Sequence, residues 1–172
     1  MISETEHQRH KVDLEFLKTT LENAAIQAEL ILASEKNPVS FISANLPFTY
    51  QGPKAAFQLI FIPAEGILEE VSLLQIYTYS EDKISEPNSE LYEFLRLVNP
   101  RSLMGFFGIE DGEKRIFHRY VYSIPRFQVP NEKVFIETLE LCIANFGNIT
   151  SIIFDLANKK IPFQEAKNKL NG

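Results

Sequence analysis

Read from its start, the chain first shows a helical period. Leu14, Leu17, Leu21, Ala24, Ala28 and Ile31 recur at spacings of three and four, which puts them in one stripe, while Glu15, Lys18, Glu22 and Glu29 lie away from its centre. The pattern predicts a helix from about Lys11 that ends in Ser34-Glu35-Lys36-Asn37-Pro38, because a proline disfavours the helical conformation of the residue before it. The polar residues 1–10 are expected as a flexible tail. The pattern then predicts three extended segments. Residues 39–46 are the first strand. Ala55–Ile62, reading AAFQLIFI, is the second and is apolar on both faces except at Gln58. Residues 71–79, reading VSLLQIYTY, are the third and are rich in β-branched and aromatic side chains. The links at 47–54, with Gly52-Pro53, and at 63–66 are too short for a parallel crossover, so antiparallel neighbours are expected.

An acidic loop leads to a short helix, Ser89–Val98, with Leu91, Phe94, Leu95 and Val98 on its apolar side and Asn99-Pro100 as its stop. Residues 105–122, GFFGIEDGEKRIFHRYVY, follow. Two strand-like runs, 104–110 and 115–122, flank Asp111-Gly112, which tolerates the positive φ of a tight turn. A two-residue loop would set Glu110 against Glu113. A three-residue loop would set it against Lys114, which is electrostatically better. Gly105 and Gly108 within a strand mark a bulge or a close approach. Beyond a proline-marked loop, Asn131 can cap a last helix whose stripe runs Phe135, Leu139, Cys142, Phe146, Ile149, Ile153 and Leu156. This is one long helix through Gly147, or two helices broken at Gly147-Asn148. The order α-β-β-β-α-β-β-α, without regular alternation, predicts an α+β domain in which helices cover an antiparallel sheet. It spans 11–160, between the tail 1–10 and a C-terminal tail 161–172.

Composition changes this picture little. The chain has 172 residues, 45% hydrophobic and 23% charged, which suits one soluble globular domain. Cys142 is the only cysteine and cannot form an internal disulfide. The polar start lacks the apolar centre of a signal peptide, and no apolar run is expected to span a bilayer, so a cytoplasmic protein with no membrane partner is expected. The net charge of −6 disfavours nucleic acid, whose non-specific binding rests on neutralised phosphates. Charge is uneven. Glu65, Glu69, Glu70, Glu81, Asp82, Glu86, Glu90 and Glu93 face only Lys83, whereas Lys114, Arg115, Arg119 and Arg126 make a basic stretch. These are solvated surfaces, or edges that meet a charged partner.

The candidate chemistry is thin. Gly105-Phe-Phe-Gly108 matches the GXXG spacing of KH domains, but that loop joins two helices, and here the context is a strand. No Walker A or Rossmann glycine pattern occurs. His118 has no local nucleophile or carboxylate beside it and reads as a structural hydrogen-bonder. His7 and His10 share a helical spacing without a third metal ligand. Cys142 falls in an apolar stripe, and Glu137 and Glu140 read as a solvated helix face. No catalytic residue, metal or cofactor is expected. On the second strand of the hairpin, alternation separates Arg115, Phe117, Arg119 and Val121 from Ile116, His118, Tyr120, Tyr122 and Ile124. The second set is more continuously apolar and is placed toward the core. The first is the candidate partner-binding face, since arginine and aromatic side chains are enriched at interface hot spots. One alternative is a small-ligand or enzyme pocket lined by Tyr77, His118, Tyr120 and Tyr122. Another is an RNA-stacking hairpin using Arg115, Phe117 and Arg119.

The order of elements, with LYEFLRLVNP followed by GFFGIEDGEKRIFHRYVYSIP, resembles the YbjN family of bacterial putative regulators and is similar to the class I type III secretion chaperones. The positions that carry the resemblance are Leu95, Val98, Asn99, Gly105, Phe107, Asp111 and Gly112, within residues 11–158. The resemblance implies a chaperone-like fold and a homodimeric, non-enzymatic, cytoplasmic interaction or regulatory domain. Its expected partners are a second copy and a client or regulatory protein.

Overall fold

The computed structural model describes residues 3–46, 53–64 and 66–171. The elements are α1 (Glu4–Asn23), β1 (Glu29–Ile31), β2 (Phe41–Asn45), β3 (Ala55–Ile62), β4 (Val71–Ser80), α2 (Ser89–Val98), a 3-10 turn (Asn99–Arg101), β5 (Phe106–Glu110), β6 (Arg115–Pro125), α3 (Glu132–Ala157) and α4 (Phe163–Asn171). The strands form one open antiparallel sheet in the order β1-β2-β3-β4-β6-β5. The α+β class and the antiparallel sheet agree with the sequence pattern. The element order gains a strand, β1, and a helix, α4. The loop expected at 47–54 lies outside the described residues except for Pro53 and Lys54, as does Glu65 of the 63–66 turn. The chain divides into two compact units. One comprises Met1–Pro47, Phe57–Tyr77 and Val121–Glu140, the other Phe48–Ala56, Thr78–Tyr120 and Leu141–Gly172.

In the first unit the N-terminal helix is displaced from its expected position at both ends. Residues 4–10, expected as a flexible tail, are helical because Ser3 caps them. Its Oγ accepts from Glu6 N at 3.2 Å, and Glu4 and Glu6 sit where the helix dipole favours negative charge. The helix stops at Asn23 without Gly or Pro. Ala25 takes φ 60°, Ala25 N donates to Glu22 O at 3.0 Å, and Ile26 N donates to Leu21 O at 2.9 Å. This bond pair is a Schellman closure with alanine where glycine is usual. Ala28 and Ile31, read as helix stripe, therefore fall beyond the helix. Ile31 lies in β1, which pairs antiparallel with β2 through Leu30↔Ile42. The buried apolar side chains of this unit include Leu14, Leu17, Leu21, Ile42, Leu59, Phe61, Leu74 and Ile76. An L-residue in the left-handed region costs roughly 1–2 kcal/mol, partly offset by the unfolded-state entropy that glycine adds. Ala25→Gly is expected to raise thermal stability by up to about 1 kcal/mol. A fall in melting temperature would contradict the closure described.

In the second unit α2 begins at Asn88, whose side chain accepts from Leu91 N at 2.9 Å. Leu91, Phe94, Leu95 and Val98 join Phe107, Ile116, Phe146, Ile153 and Leu156 in one buried cluster. Within the segment 161–172, expected as a tail, Phe163–Asn171 forms α4, which buries Ala166 and sets Phe163 edge-on to Phe94 at 6.4 Å. Helix α3, whose residues 132–140 belong to the first unit and 141–157 to the second, is continuous through Gly147, and Asn131 accepts from Val134 N at 3.1 Å at its start. It has the length and mean apolarity of a bilayer span, contrary to the expectation that no such run exists. Its Phe135, Leu139, Cys142, Phe146 and Ile153 are buried within the protein, which marks a core helix as readily as a membrane one.

Candidate functional site

The stretch 105–122 folds as the expected hairpin, but in neither expected register. Glu110 pairs with Arg115 across a four-residue loop, and Phe107↔His118 and Ile109↔Ile116 follow. Lys114, not Gly112, takes the left-handed conformation (φ 55°), and its N–H closes the loop on Glu110 O at 2.6 Å. This register places a cation against Glu110, and Arg115 Nη2 lies 2.8 Å from its carboxylate. The acidic and basic stretches partly neutralise each other locally. Lys83 pairs with Glu113 at 3.0 Å, and Lys114 pairs with Glu86.

The core face of β6 is held by His118, which has no accessible surface. Its Nε2 lies 2.5 Å from Met104 O, which also accepts from Ser102 Oγ at 2.8 Å and from Asn145 Nδ2 at 3.3 Å. Nε2 therefore carries the proton. Nδ1 is buried with no hydrogen-bond partner among the described residues. Burial lowers the imidazole pKa, and the Met104 bond raises it less, so the ring is neutral near pH 7. Gly105 makes this junction possible. It has φ 66°, and a Cβ there would fall 2.2 Å from Arg119 O and 2.9 Å from His118 Nε2. The close approach expected of this glycine is thus a lock between the segment 102–105 and β6. Asn99 completes it from the α2 side. Its carboxamide accepts from Phe107 N at 2.7 Å and donates to Phe107 O at 3.1 Å. A side chain thereby stands in for the next strand at the edge of β5.

On the other face Arg115, Phe117, Arg119 and, further along, Val121 are half-buried. Phe117 lies over Gly108, where a Cβ would sit 2.4 Å from its ring, and meets the exposed Phe106 edge-on at 5.9 Å. The Arg115 guanidinium stacks 4.8 Å above Tyr79. Arg119 Nε makes no hydrogen bond among the described residues.

The alternative pocket is not assembled around a reachable histidine. His118 is sealed, Tyr120 and Tyr122 are half-buried, and Tyr77 points to the side of β4 opposite the buried Ile76 and Thr78. The clefts found along β1 and α1 have other linings, such as Glu4, His7, Gln8, Lys11, Leu32, Ala33 and Ser40. Among the described residues no three His, Cys, Asp or Glu side chains gather as a metal would require. Burial pushes the Cys142 thiol up to about 12, so it is un-ionised at neutral pH.

Sequence reasoning missed a polar cluster in the first unit. The Glu6 carboxylate, nearly buried, accepts from Arg9 Nη2 at 2.6 Å and Arg126 Nη2 at 2.9 Å, and His10 Nε2 lies 3.2 Å away. Arg9 also reaches Ser72 Oγ at 3.0 Å, and Arg126 reaches Leu68 O at 2.8 Å. His10 stacks on Phe61 at 4.8 Å, and burial lowers its pKa to about 4 despite Glu6. The ring is therefore neutral near pH 7 and is not one half of an ion pair with Glu6. The available signal was Ser3-x-x-Glu6, the spacing of a capping box, which would have started the helix at Glu4.

Compared with known proteins, the chain matches no protein-family model, and no curated protein is significantly similar to it.

Proposed function

We propose that this chain is a non-enzymatic protein-interaction or regulatory domain, cytoplasmic and homodimeric, of the type the YbjN-like and chaperone-like resemblance implies. It docks a protein partner on the outer face of the hairpin. The observation that carries this reading is the character of that face. Arg115, Phe117 and Arg119 stand half-buried beside the exposed Phe106, with aromatic and guanidinium area on one face. The chemical groups of the same stretch support it from the other side, because His118 and Gly105 are consumed by the lock on Met104. The half-buried Ile60, Ile62, Val71 and Leu73 on the corresponding face of β3 and β4 favour a second copy as one partner, since a sheet face this apolar calls for cover.

The test is Phe117→Ser combined with Arg119→Glu, followed by sedimentation velocity. Association is expected to weaken by about tenfold or more, with a fold-stability loss below about 2 kcal/mol for a surface change. A folded variant that associates as the wild type does would remove the hairpin face from the reading.

A further inference from the structure

Two loops of the first unit carry apolar side chains that nothing in the fold uses. Ile67, in the β3–β4 loop, is 80% exposed. Phe127 and Val129, in the β6–α3 loop, are 84% and 68% exposed. Single exposed apolar residues are ordinary, but three bulky ones on two adjoining loops form a patch of the kind that marks interaction sites. The loops adjoin because Arg126 binds both. Its N–H donates to Glu70 O at 2.8 Å, and its Nη1 donates to Leu68 O at 2.8 Å. The same guanidinium is anchored on Glu6 at the start of α1. Internal turns stiffen each loop further. Ile67 N and Leu68 N both donate to Ala64 O, and Gln128 N donates to Pro125 O. The backbones of the two loops are therefore tied together around Arg126, which lowers the ordering cost of binding.

Charge identifies the occupant. Residues 63–70 and 125–133 contain two cations, Arg126 and the exposed Lys133, and the Arg126 guanidinium is already committed to Glu6 and Leu68 O, which leaves Lys133 alone against the carboxylates. Glu69, Glu70 and Glu132 on the same segments are exposed. The apolar tips are rimmed by carboxylates, which attract cationic flanks and repel an anionic lipid surface. We propose that the joined tips of the β3–β4 and β6–α3 loops form a docking surface for a protein segment with apolar side chains flanked by lysine or arginine. This surface is separate from the hairpin face and does not depend on it.

The experiment is fluorescence anisotropy on the full chain with two labelled synthetic peptides that share a Leu-Phe-Leu centre. One is flanked by lysines and the other by glutamates. Vesicles of phosphatidylcholine, with and without phosphatidylserine, are tested in parallel. The lysine-flanked peptide is expected to bind about tenfold or more tighter than the glutamate-flanked one. Ile67→Ser with Phe127→Ser is expected to weaken it by about tenfold, and Glu69→Lys with Glu70→Lys to remove the preference between the peptides. Arg119→Glu is expected to leave peptide binding unchanged, which separates this surface from the hairpin. Three results would overturn the proposal: equal or absent binding of both peptides, vesicle binding lost with Ile67 and Phe127, or self-association abolished by the same pair of changes. The second would assign the tips to a lipid surface, and the third to a second copy of the chain.

Discussion

Gly105→Ala is expected to destabilise the protein by about 3 kcal/mol or more, seen as a lower urea midpoint at unchanged slope. Two costs combine. The backbone at φ 66° is left-handed, and the new Cβ would fall 2.2 Å from a backbone oxygen, Arg119 O, which cannot swing away as a side chain can. The segment 102–105 would have to lift from β6, and the bonds of Ser102, His118 and Asn145 to Met104 O would stretch with it. Two other glycines serve as controls. Gly66 has φ 75° but open space around it, so Gly66→Ala should cost only about 1–2 kcal/mol. Gly112 lacks both constraints, so Gly112→Ala should be close to neutral. Equal effects at all three positions would show that the lock is not under the strain described.

Glu6→Ala is expected to cost about 3 kcal/mol, because it leaves two poorly hydrated arginines facing each other without their anion. Arg126→Leu should cost a similar amount and also free the two loop tips. Glu6→Gln, which keeps hydrogen-bond acceptance but not charge, should cost less than either. A loss below about 1 kcal/mol for Glu6→Ala would mean that water replaces the carboxylate freely. The two buried histidines add a pH dependence. Both have folded-state pKa values below the ordinary 6.5, His10 at about 4, with burial as the leading cause. Between the folded and unfolded values the unfolded chain binds more protons, so stability rises with pH in this range. Their contribution is complete above about pH 6.5 and falls as the pH drops, with the His10 share lost by about pH 4. Urea unfolding at pH 7, 6 and 5 should show this decline, and His10→Phe should flatten it.

Much of the fold was legible because apolar periodicity reports which face is buried. β3, β4, α2, the hairpin and the unbroken α3 all follow their stripes, and the two faces of β6 divide at Ile116 and His118 as alternation requires. The start and end of α1 were not legible from periodicity. Ser3 and Glu6 carry a capping signal, not an apolar one, and the helix ends on an alanine in the left-handed region, where no breaker residue announces a stop. The hairpin register was hidden because Lys114 bends where Gly112 was the natural candidate. Of the candidate site, the identities of Arg115, Phe117 and Arg119 were readable. So were the inward placing of His118 and its role as a structural hydrogen-bonder; its partners were not, because the 102–104 segment and Asn145 stand far apart in the sequence and meet only in the fold.

We propose that the chain works by association through the half-buried aromatic and basic face of the hairpin rather than by chemistry at His118. Static light scattering of the wild-type chain at high micromolar concentration tests this most directly. A mass of twice the chain's 19.7 kDa is expected, which Phe117→Ser with Arg119→Glu shifts toward the single-chain value. A wild-type chain that scatters as a monomer across that range would contradict it.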